Sequence, residues 1–353
     1  MNLLTWIGIL KMFDRAYGCL LGVAIGDALG MPASFMSPEK IKRIYGEITD
    51  FVEPDKEQLQ HGSLASATFT DDTQESLIIA SVLTEAQGYD EALFLKKMKE
   101  WAIQTNILNS TVIGPSTRAF LMAILTDGDV AAAGQVGDTN GGAMRAAPIG
   151  IFFAGDFDGA VKSAIQFTRL SHGSRPGLAS ACAIAAAIAD CVGGQRDVAA
   201  IMDNALRAAY LGEESGFDIP APSVADRIAL AKRIVDENCT RPLREQAEML
   251  YRVIGAGMKS YESIPLSLGI FYAAGGGFEK GLLTTINIGD DADTNGSITG
   301  GLCGAYSGVG AVRASWREKI ESQNSVDFKK IAEGLLTATG RTNKCEESSL
   351  PLR

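Results

Sequence analysis

Glycine recurs at every fourth position in two distant stretches of this chain, and no other feature restricts the possible fold as strongly. The first set is Gly18, Gly22, Gly26 and Gly30, and the second is Gly296, Gly300, Gly304 and Gly308. Residues four apart lie along one face of an α-helix, and a glycine inside a helix costs roughly 1 kcal/mol relative to alanine. We therefore predict two helices that pack antiparallel, glycine face against glycine face. This packing would place Asp27 beside the segment 291–294.

Helical periodicity also dominates the remaining sequence. It predicts helices over 69–86, 178–192, 224–235 and 244–254. Segment 178–192 is apolar almost all round, which is typical of a central buried helix. No stretch keeps the two-residue alternation of a half-exposed strand for long. The sequence predicts an all-α fold with one compact domain over 13–340, an N-terminal extension of 1–12 and a polar tail of 341–353.

Composition limits the class of protein and its partners. Of the 353 residues, 46% are hydrophobic and 21% are charged, so the chain can build a large core and is not disordered. Its formal net charge of -10 argues against nucleic-acid binding, which depends on Lys and Arg neutralising phosphates. The six cysteines form no CxxC pair and most lie in apolar helical sequence, which is typical of reduced, buried thiols in a cytosolic protein. The apolar start 1–13 lacks a basic region and a cleavage site, and no run reaches the ~20 uninterrupted apolar residues that span a bilayer. We expect a cytoplasmic protein with no membrane segment.

Few catalytic chemistries are open to such a chain. Its two histidines, His61 and His172, and the absence of a CxxC pair exclude a histidine-rich or cysteine-rich zinc site. No GxSxG motif presents a serine nucleophile, and no GxxxxGK[ST] loop is available to bind phosphate. What remains is chemistry based on carboxylate and hydroxyl oxygens.

Carboxylates and hydroxyls concentrate in two short segments, each at a predicted helix start. They are Thr70-Asp71-Asp72-Thr73 and Gly289-Asp290-Asp291-Ala292-Asp293-Thr294-Asn295-Gly296. N-capping is the ordinary role of such residues, but one cap requires one side chain and each segment carries at least three. Five carboxylates gathered without cations would repel one another strongly. Because Mg²⁺ and Mn²⁺ prefer carboxylate, hydroxyl and water oxygens, we predict a divalent-metal site built from both segments.

Two further segments are candidate ligand contacts. The glycine-rich loop 137–145 precedes an apolar helix, so its backbone N–H groups could bind an anion, a simple turn being the alternative. Arg145 at its end is either a partner of the metal-site carboxylates or a surface residue. For His172, we favour a ligand contact over a packed or capping role, because we place it at a helix N-terminus.

Together these segments resemble the ADP-ribosylglycohydrolase family, which includes the dinitrogenase-reductase-activating glycohydrolases and crystallin J1. The matching segments are GCLLGVAIGDALGMP (18–32), FTDDT (69–73), VIGPSTRAF (112–120), NGGAMRAAPIG (140–150), LSHGS (170–174) and GDDADTNGSITGGLCGAYSG (289–308). They follow the order of the family and span about 290 of the 353 residues. The combination of TDDT with DxDT is specific to that family.

The resemblance implies an all-α, ADP-ribosylglycohydrolase-like domain with two Mg²⁺ or Mn²⁺ ions in a central cleft. The implied metal ligands are Thr70, Asp71, Asp72, Asp291, Asp293 and Thr294, and the candidate catalytic carboxylates are Asp71, Asp72, Asp291 and Asp293. The implied substrate-binding residues are Asn140, Gly141, Gly142, Ala143, Met144, His172 and Ser34. Metal coordination would make a water more acidic for attack on the anomeric carbon, and a carboxylate would accept its proton or stabilise the oxocarbenium-like charge.

The chain departs from the family pattern at one informative position. The family commonly reads GDALGMPxE, with the glutamate on a mobile flap at the metal site, whereas this chain has Ser34 there and Glu39 a few residues on. Asp290 stands where a glycine is more usual. We expect a metal-dependent hydrolase that cleaves the ribosyl glycosidic bond of an ADP-ribosylated protein or small molecule. The alternatives are a hydrolase of nucleosides or other small N-ribosyl compounds, and a low-activity ADP-ribose-binding homologue.

Overall fold

A computed structural model of the protein describes residues 3–339. Its first α-helices are α1 (Leu3–Gly30), α2 (Pro38–Tyr45), α3 (Asp71–Ala86), α4 (Glu91–Thr105), α5 (Pro115–Leu125), α6 (Val130–Gly134), α7 (Gly141–Met144), α8 (Ala147–Phe152) and α9 (Phe157–His172). The chain continues with α10 (Arg175–Gly193), α11 (Val198–Ser215), α12 (Val224–Glu237), α13 (Leu243–Ile254), α14 (Ser260–Ala273), α15 (Phe278–Ile286), α16 (Ala292–Ser307), α17 (Ala314–Asn324) and α18 (Phe328–Ala338). Short 3₁₀ helices cover Met31–Ala33, Ile107–Asn109 and Val309–Ala311. Within 3–339 there is no β-sheet, only three isolated β-bridges, so the all-α prediction is confirmed.

Helices α1 and α16 pack antiparallel through their glycine faces, as predicted. A methyl group added at Gly18 would lie 2.6 Å from the carbonyl oxygen of Gly304, and one added at Gly296 would lie 2.6 Å from that of Gly26. A methyl group at Gly22 would overlap the backbone of the facing helix. Glycine is required at these positions because the two backbones touch. The contact also brings the end of α1 beside the start of α16.

The helix predicted over 178–192 forms the centre of the core. It runs as α10, in which every residue from Pro176 to Val192 is buried except Asp190, and α8, α9, α11 and α16 pack against it. The helices predicted over 69–86, 224–235 and 244–254 are α3, α12 and α13, with ends that differ by two residues or fewer. Periodicity located these helices well because their burial follows their apolar faces.

Two helical segments, Ile7–Ala33 and Arg175–Gly193, are long and apolar enough to cross a membrane by length and hydropathy alone. The criterion of uninterrupted apolar runs did not detect them. Their membrane-length windows are 100% and 89% buried inside the protein, which is the pattern of core helices in a globular fold.

The N-terminal extension over 1–12 stays a prediction, and the cysteines differ from expectation in part. Residues 3–12 form the first turns of α1. Cys19, Cys182, Cys191 and Cys303 are buried, as predicted, and no described cysteine forms a disulfide. The burial prediction is wrong for Cys239, which is exposed because it lies in the turn that follows α12. Cys345 and the predicted tail 341–353 lie outside the described residues.

Candidate active site between the starts of α3 and α16

The two acidic segments meet in one cleft, as predicted. Five of the residues that line it are Asp71, Asp72, Asp291, Asp293 and Thr294. Asp72 joins the two segments, because its Oδ2 accepts hydrogen bonds from Thr70 Oγ1 and from Thr294 Oγ1, each at 3.4 Å. Carboxylates that are more than two hundred positions apart in the chain therefore share one polar surface.

Asp27, near the end of α1, caps the start of α3. Its buried carboxylate accepts hydrogen bonds from the backbone N–H groups of Thr70 and Thr73 at 2.9 and 3.1 Å, and from their hydroxyls at 2.9 and 2.6 Å. Burial raises the pKa of Asp27 to about 7, and the nearby Asp293 carboxylate contributes to the rise while the hydrogen bonds from the two threonines oppose it. Asp27 thus lies close to the segment 291–294, as predicted from the glycine packing.

Capping does not account for the other acids. Thr70 makes no side-chain cap hydrogen bond to α3, and Asp291 makes none to α16. Burial raises the pKa values of Asp71, Asp72 and Asp291 well above their usual range, and neighbouring carboxylates raise them further. In addition, Asp72 Oδ1 is buried without a hydrogen-bond partner. A buried, unpaired carboxylate oxygen among like charges is costly unless a cation or a proton reaches it.

The chemistry of these donors fits a hard divalent cation. Carboxylate and hydroxyl oxygens are the protein ligands that Mg²⁺ and Mn²⁺ prefer, and the cleft brings four such carboxylates together. Within residues 3–339, no three acidic, histidine or cysteine side chains are already arranged as ligands of one ion. The ligand set Thr70, Asp71, Asp72, Asp291, Asp293 and Thr294 therefore remains a prediction.

Asn140 positions Asp291. Its Nδ2 donates to Asp291 Oδ2 at 2.6 Å and to Ser263 Oγ at 3.0 Å. Ser263 Oγ in turn donates to Asn295 Oδ1 at 2.7 Å, which connects this network to α16. The predicted substrate-binding residue Asn140 lines the cleft, and its shortest side-chain hydrogen bond is to Asp291.

The glycine-rich loop only partly fits the predicted anion site. Gly141 and Met144 line the cleft, whereas Gly142 and Ala143 are buried in α7. The backbone N–H groups of Ala143 and Met144 donate to the carbonyl of Asn140 at 2.8 and 3.0 Å. These two N–H groups are therefore already used within the short helix. This part of the loop is therefore a simple turn, which was the alternative to an anion-binding loop.

The placement of His172 at a helix N-terminus is wrong. His172 is the last residue of α9, and Ser174 caps α10. The imidazole is fully buried, with Nε2 3.0 Å from Thr139 Oγ1 and Nδ1 2.9 Å from Ser171 Oγ, and burial lowers its pKa well below the usual value. His172 thus contacts Thr139 and does not itself line the cleft, whereas Thr139 does.

Arg145 is neither at the surface nor in contact with the metal-site carboxylates. It is fully buried and forms an ion pair with Glu75 of α3. It also donates a hydrogen bond to Ser171 Oγ, and its guanidinium carbon lies 5.7 Å from the centre of the Phe94 ring. Glu75 is fully buried and follows Asp71 by one helical turn, and its charge contributes to the raised pKa of Asp71. The ion pair therefore lies directly behind the cleft.

Replacing Arg145 by methionine is expected to lower the free energy of unfolding by about 3–5 kcal/mol, because Glu75 would be left buried and uncompensated. The double variant Glu75→Gln/Arg145→Met is expected to recover a large part of that loss, since no isolated charge remains. Urea unfolding followed by circular dichroism measures both. A single variant as stable as the wild type would show that water reaches Glu75.

Comparison with known proteins agrees with this fold. A family model described as ADP-ribosylglycohydrolase matches residues 10–345. The chain belongs to the ADP-ribosylglycohydrolase family. The predicted enzyme class, a hydrolase of glycosidic bonds, is confirmed at the level of this family.

Relatives extend over most of the chain. The uncharacterized protein YegU of Escherichia coli (strain K12) is 31% identical over 324 residues, which cover 91% of this chain and 96% of YegU. The ADP-ribosyl-(dinitrogen reductase) glycohydrolase of Rhodospirillum rubrum is 25% identical over 331 residues, covering 94% and 98%. A solved chain of an ADP-ribosylglycohydrolase-related protein complex shares the fold with a TM-score of 0.69 at 23% identity, covering 93% of this chain and 99% of that one.

Ser34, which stands where the resemblance leads us to expect a glutamate, is buried and has a structural contact. Its Oγ accepts a hydrogen bond from the backbone N–H of Asp293 at 3.2 Å, so it caps the first turn of α16. Ser34 is not among the residues that line the cleft, whereas the next residue, Phe35, is. Glu39 does not line the cleft either, and it is exposed in the first turn of α2. No acid from this segment therefore reaches the carboxylate surface.

Sequence reasoning missed His61 as a member of this site. It is buried, with Nε2 3.1 Å from Asp293 Oδ2. Burial lowers the pKa of His61, but the Asp293 carboxylate outweighs it and the net shift is upward. Burial raises the pKa of Asp293, but His61 lowers it by more, so the net shift is downward. No local pattern marks this residue, since its partner is 232 positions away in the chain.

Proposed function

We propose that this protein hydrolyses the ribosyl glycosidic bond of an ADP-ribosylated protein or small molecule, with two Mg²⁺ or Mn²⁺ ions in the cleft. The observation that supports this most is the meeting of the two acidic segments, with a buried and unpaired Asp72 oxygen between them. Membership of the family independently favours hydrolysis of ADP-ribose linkages.

The residues proposed to hold the ions are Thr70, Asp71, Asp72, Asp291, Asp293 and Thr294. When bound, such ions act as Lewis acids and lower the pKa of a coordinated water. They would also compensate for the negative charge of the site, which an anionic substrate must approach. Among the described residues that line the cleft there is no Lys or Arg to receive a diphosphate. Cations are therefore the best candidates for that role.

The protein itself orients the reacting groups. Asn140 fixes Asp291, and Asp27 holds both threonines of the α3 start, so the carboxylates keep their positions despite mutual repulsion. Among the residues that the structure describes, Asp72 Oδ1 has no hydrogen-bond partner, so it can accept a proton or bind a cation. The proposed catalytic carboxylates remain Asp71, Asp72, Asp291 and Asp293. An oxocarbenium-like positive charge that forms on the ribose would lie among these four side chains.

A substrate panel with and without chelator tests the proposal. ADP-ribosyl-arginine, ADP-ribosyl-serine, O-acetyl-ADP-ribose and common nucleosides are incubated with the protein, and released ADP-ribose, ribose and base are measured by chromatography. We expect turnover of at least one ADP-ribosyl compound, and a rate that falls about 10³-fold or more with chelator because several kcal/mol of stabilisation is lost.

Each alternative has a distinct signature in the same panel. Hydrolysis of nucleosides alone would identify a nucleoside hydrolase, and tight ADP-ribose binding without any turnover would identify a binding homologue. Turnover that chelator leaves unchanged, with no metal in the protein by elemental analysis, would contradict the proposed metal dependence.

A further inference from the structure

Phe35 is held in an unfavourable backbone conformation at the cleft. Its φ is 61°, a left-handed value that is rare for a bulky residue without a special constraint. It lines the cleft together with Asp72 and Thr294, and it is 40% exposed. An aromatic residue that is both strained and partly exposed contributes little to the core. Such outliers are often retained for function.

The surrounding backbone enforces this conformation. Phe35 N–H donates to the carbonyl of Asp290 at 2.5 Å, and Asp290 N–H donates to the carbonyl of Met36 at 2.8 Å. On the other side, Gln58 Nε2 donates to the carbonyl of Ser34 at 2.9 Å. Hydrogen bonds on both sides of Phe35 thus fix the residue that carries the ring.

Phe35 belongs to an uncharged wall of the cleft. Its apolar members are Phe35, Val112, Met144 and Met258. The loop that carries Val112 is anchored by Thr111 Oγ1, which donates to the carbonyl of Gln60 at 2.8 Å. These apolar side chains suit the part of a ligand that is flat and apolar, since a group with many N–H donors would find few acceptors on them.

The position of Phe35 indicates which part of the ligand it meets. It is hydrogen-bonded to Asp290, directly before the proposed metal ligand Asp291. A ribose held at the acidic segments would therefore have the Phe35 ring beside it in the same cleft.

We propose that Phe35 is a specificity-determining residue that stacks on a flat, uncharged heterocycle as the leaving group. The inference rests on the proposed function, because it takes the ribose to be held at the acidic segments. It narrows the substrate class to ADP-ribosyl compounds in which a neutral heterocycle is attached to the anomeric carbon, and inosine is the probe for that heterocycle with its ribose. Aromatic side chains bind flat heterocycles by stacking irrespective of their exact substitution.

Two variants of Phe35 separate stacking from structure. Phe35→Tyr keeps the ring, whereas Phe35→Asn removes it and suits a positive φ. Inosine binding, measured by isothermal titration calorimetry on the full chain, is expected to weaken about tenfold in Phe35→Asn and less than about twofold in Phe35→Tyr. The melting temperature of Phe35→Asn is expected to equal or exceed that of the wild type. If hydrolysis is observed, KM for inosine should rise while kcat changes little, and KM for O-acetyl-ADP-ribose should stay the same.

The outcomes of this experiment and of the substrate panel are independent. Inosine that fails to bind the wild type, or equal effects of Phe35→Asn and Phe35→Tyr, would overturn the role of Phe35 even if ADP-ribosyl compounds are hydrolysed. Conversely, Phe35-dependent inosine binding without hydrolysis of any compound would support the stacking wall and refute the proposed function.

Discussion

Alanine in place of Gly22 is expected to lower the free energy of unfolding by roughly 3 kcal/mol or more. The added methyl group would overlap the carbonyl of Gly300 on the facing helix. Because the neighbour is backbone, no side chain can rotate away, and α1 and α16 would have to separate. The better helix propensity of alanine, about 1 kcal/mol, offsets only part of this loss. Urea unfolding monitored by circular dichroism measures the change.

The same helix offers a matched control for this prediction. A methyl group at Gly8, in the exposed first part of α1, would meet no atom within 4 Å. Gly8→Ala is therefore expected to stabilise the protein by about 0.5–1 kcal/mol, since only helix propensity changes. Equal unfolding midpoints for the two variants would show that α1 and α16 are not packed backbone to backbone.

Asparagine in place of Asp291 is expected to reduce any metal-dependent hydrolysis about 10³-fold or more, and to abolish thermal stabilisation by Mn²⁺. The asparagine oxygen can still accept the hydrogen bond from Asn140, so the variant removes a charge and leaves the fold in place. Asp127→Asn is the matched control, because Asp127 is exposed and is not among the residues that line the cleft. The control should keep both activity and the response to Mn²⁺.

The pH dependence of the stability of Asp291→Asn distinguishes the loss of a charge from misfolding. Burial, and then the Asp293 carboxylate, raise the pKa of Asp291 in the folded state, so the charged form lowers stability at neutral pH. With chelator present, Asp291→Asn is expected to be more stable than the wild type at pH 8. This advantage should vanish below the unfolded-state pKa of about 3.9, where Asp291 is protonated in both states. A variant that is less stable at pH 8 would contradict this account.

Local sequence patterns located the acidic segments and the helices that carry them. The meeting of Asp71 and Asp291 in one cleft was predicted correctly because helix starts and glycine faces are local features, and their roles as metal ligands and catalytic groups stay predictions. The contacts of His61, His172, Arg145 and Ser34 were missed or misplaced. Each depends on a partner from a distant part of the chain, as in the contact of Ser34 with Asp293. Periodicity shows which face of a helix is buried, but it does not show what that face meets.

The all-α fold, the glycine contact between α1 and α16 and the meeting of the two acidic segments could be predicted from the sequence, because spacing and side-chain chemistry are properties of short stretches. The packed structure was needed to show that Asp27 caps α3, that Ser34 is buried and that Phe35 lines the cleft. Those outcomes follow from how the chain excludes water and satisfies buried polar groups across long separations. Free energies of that kind arise only once the helices have packed.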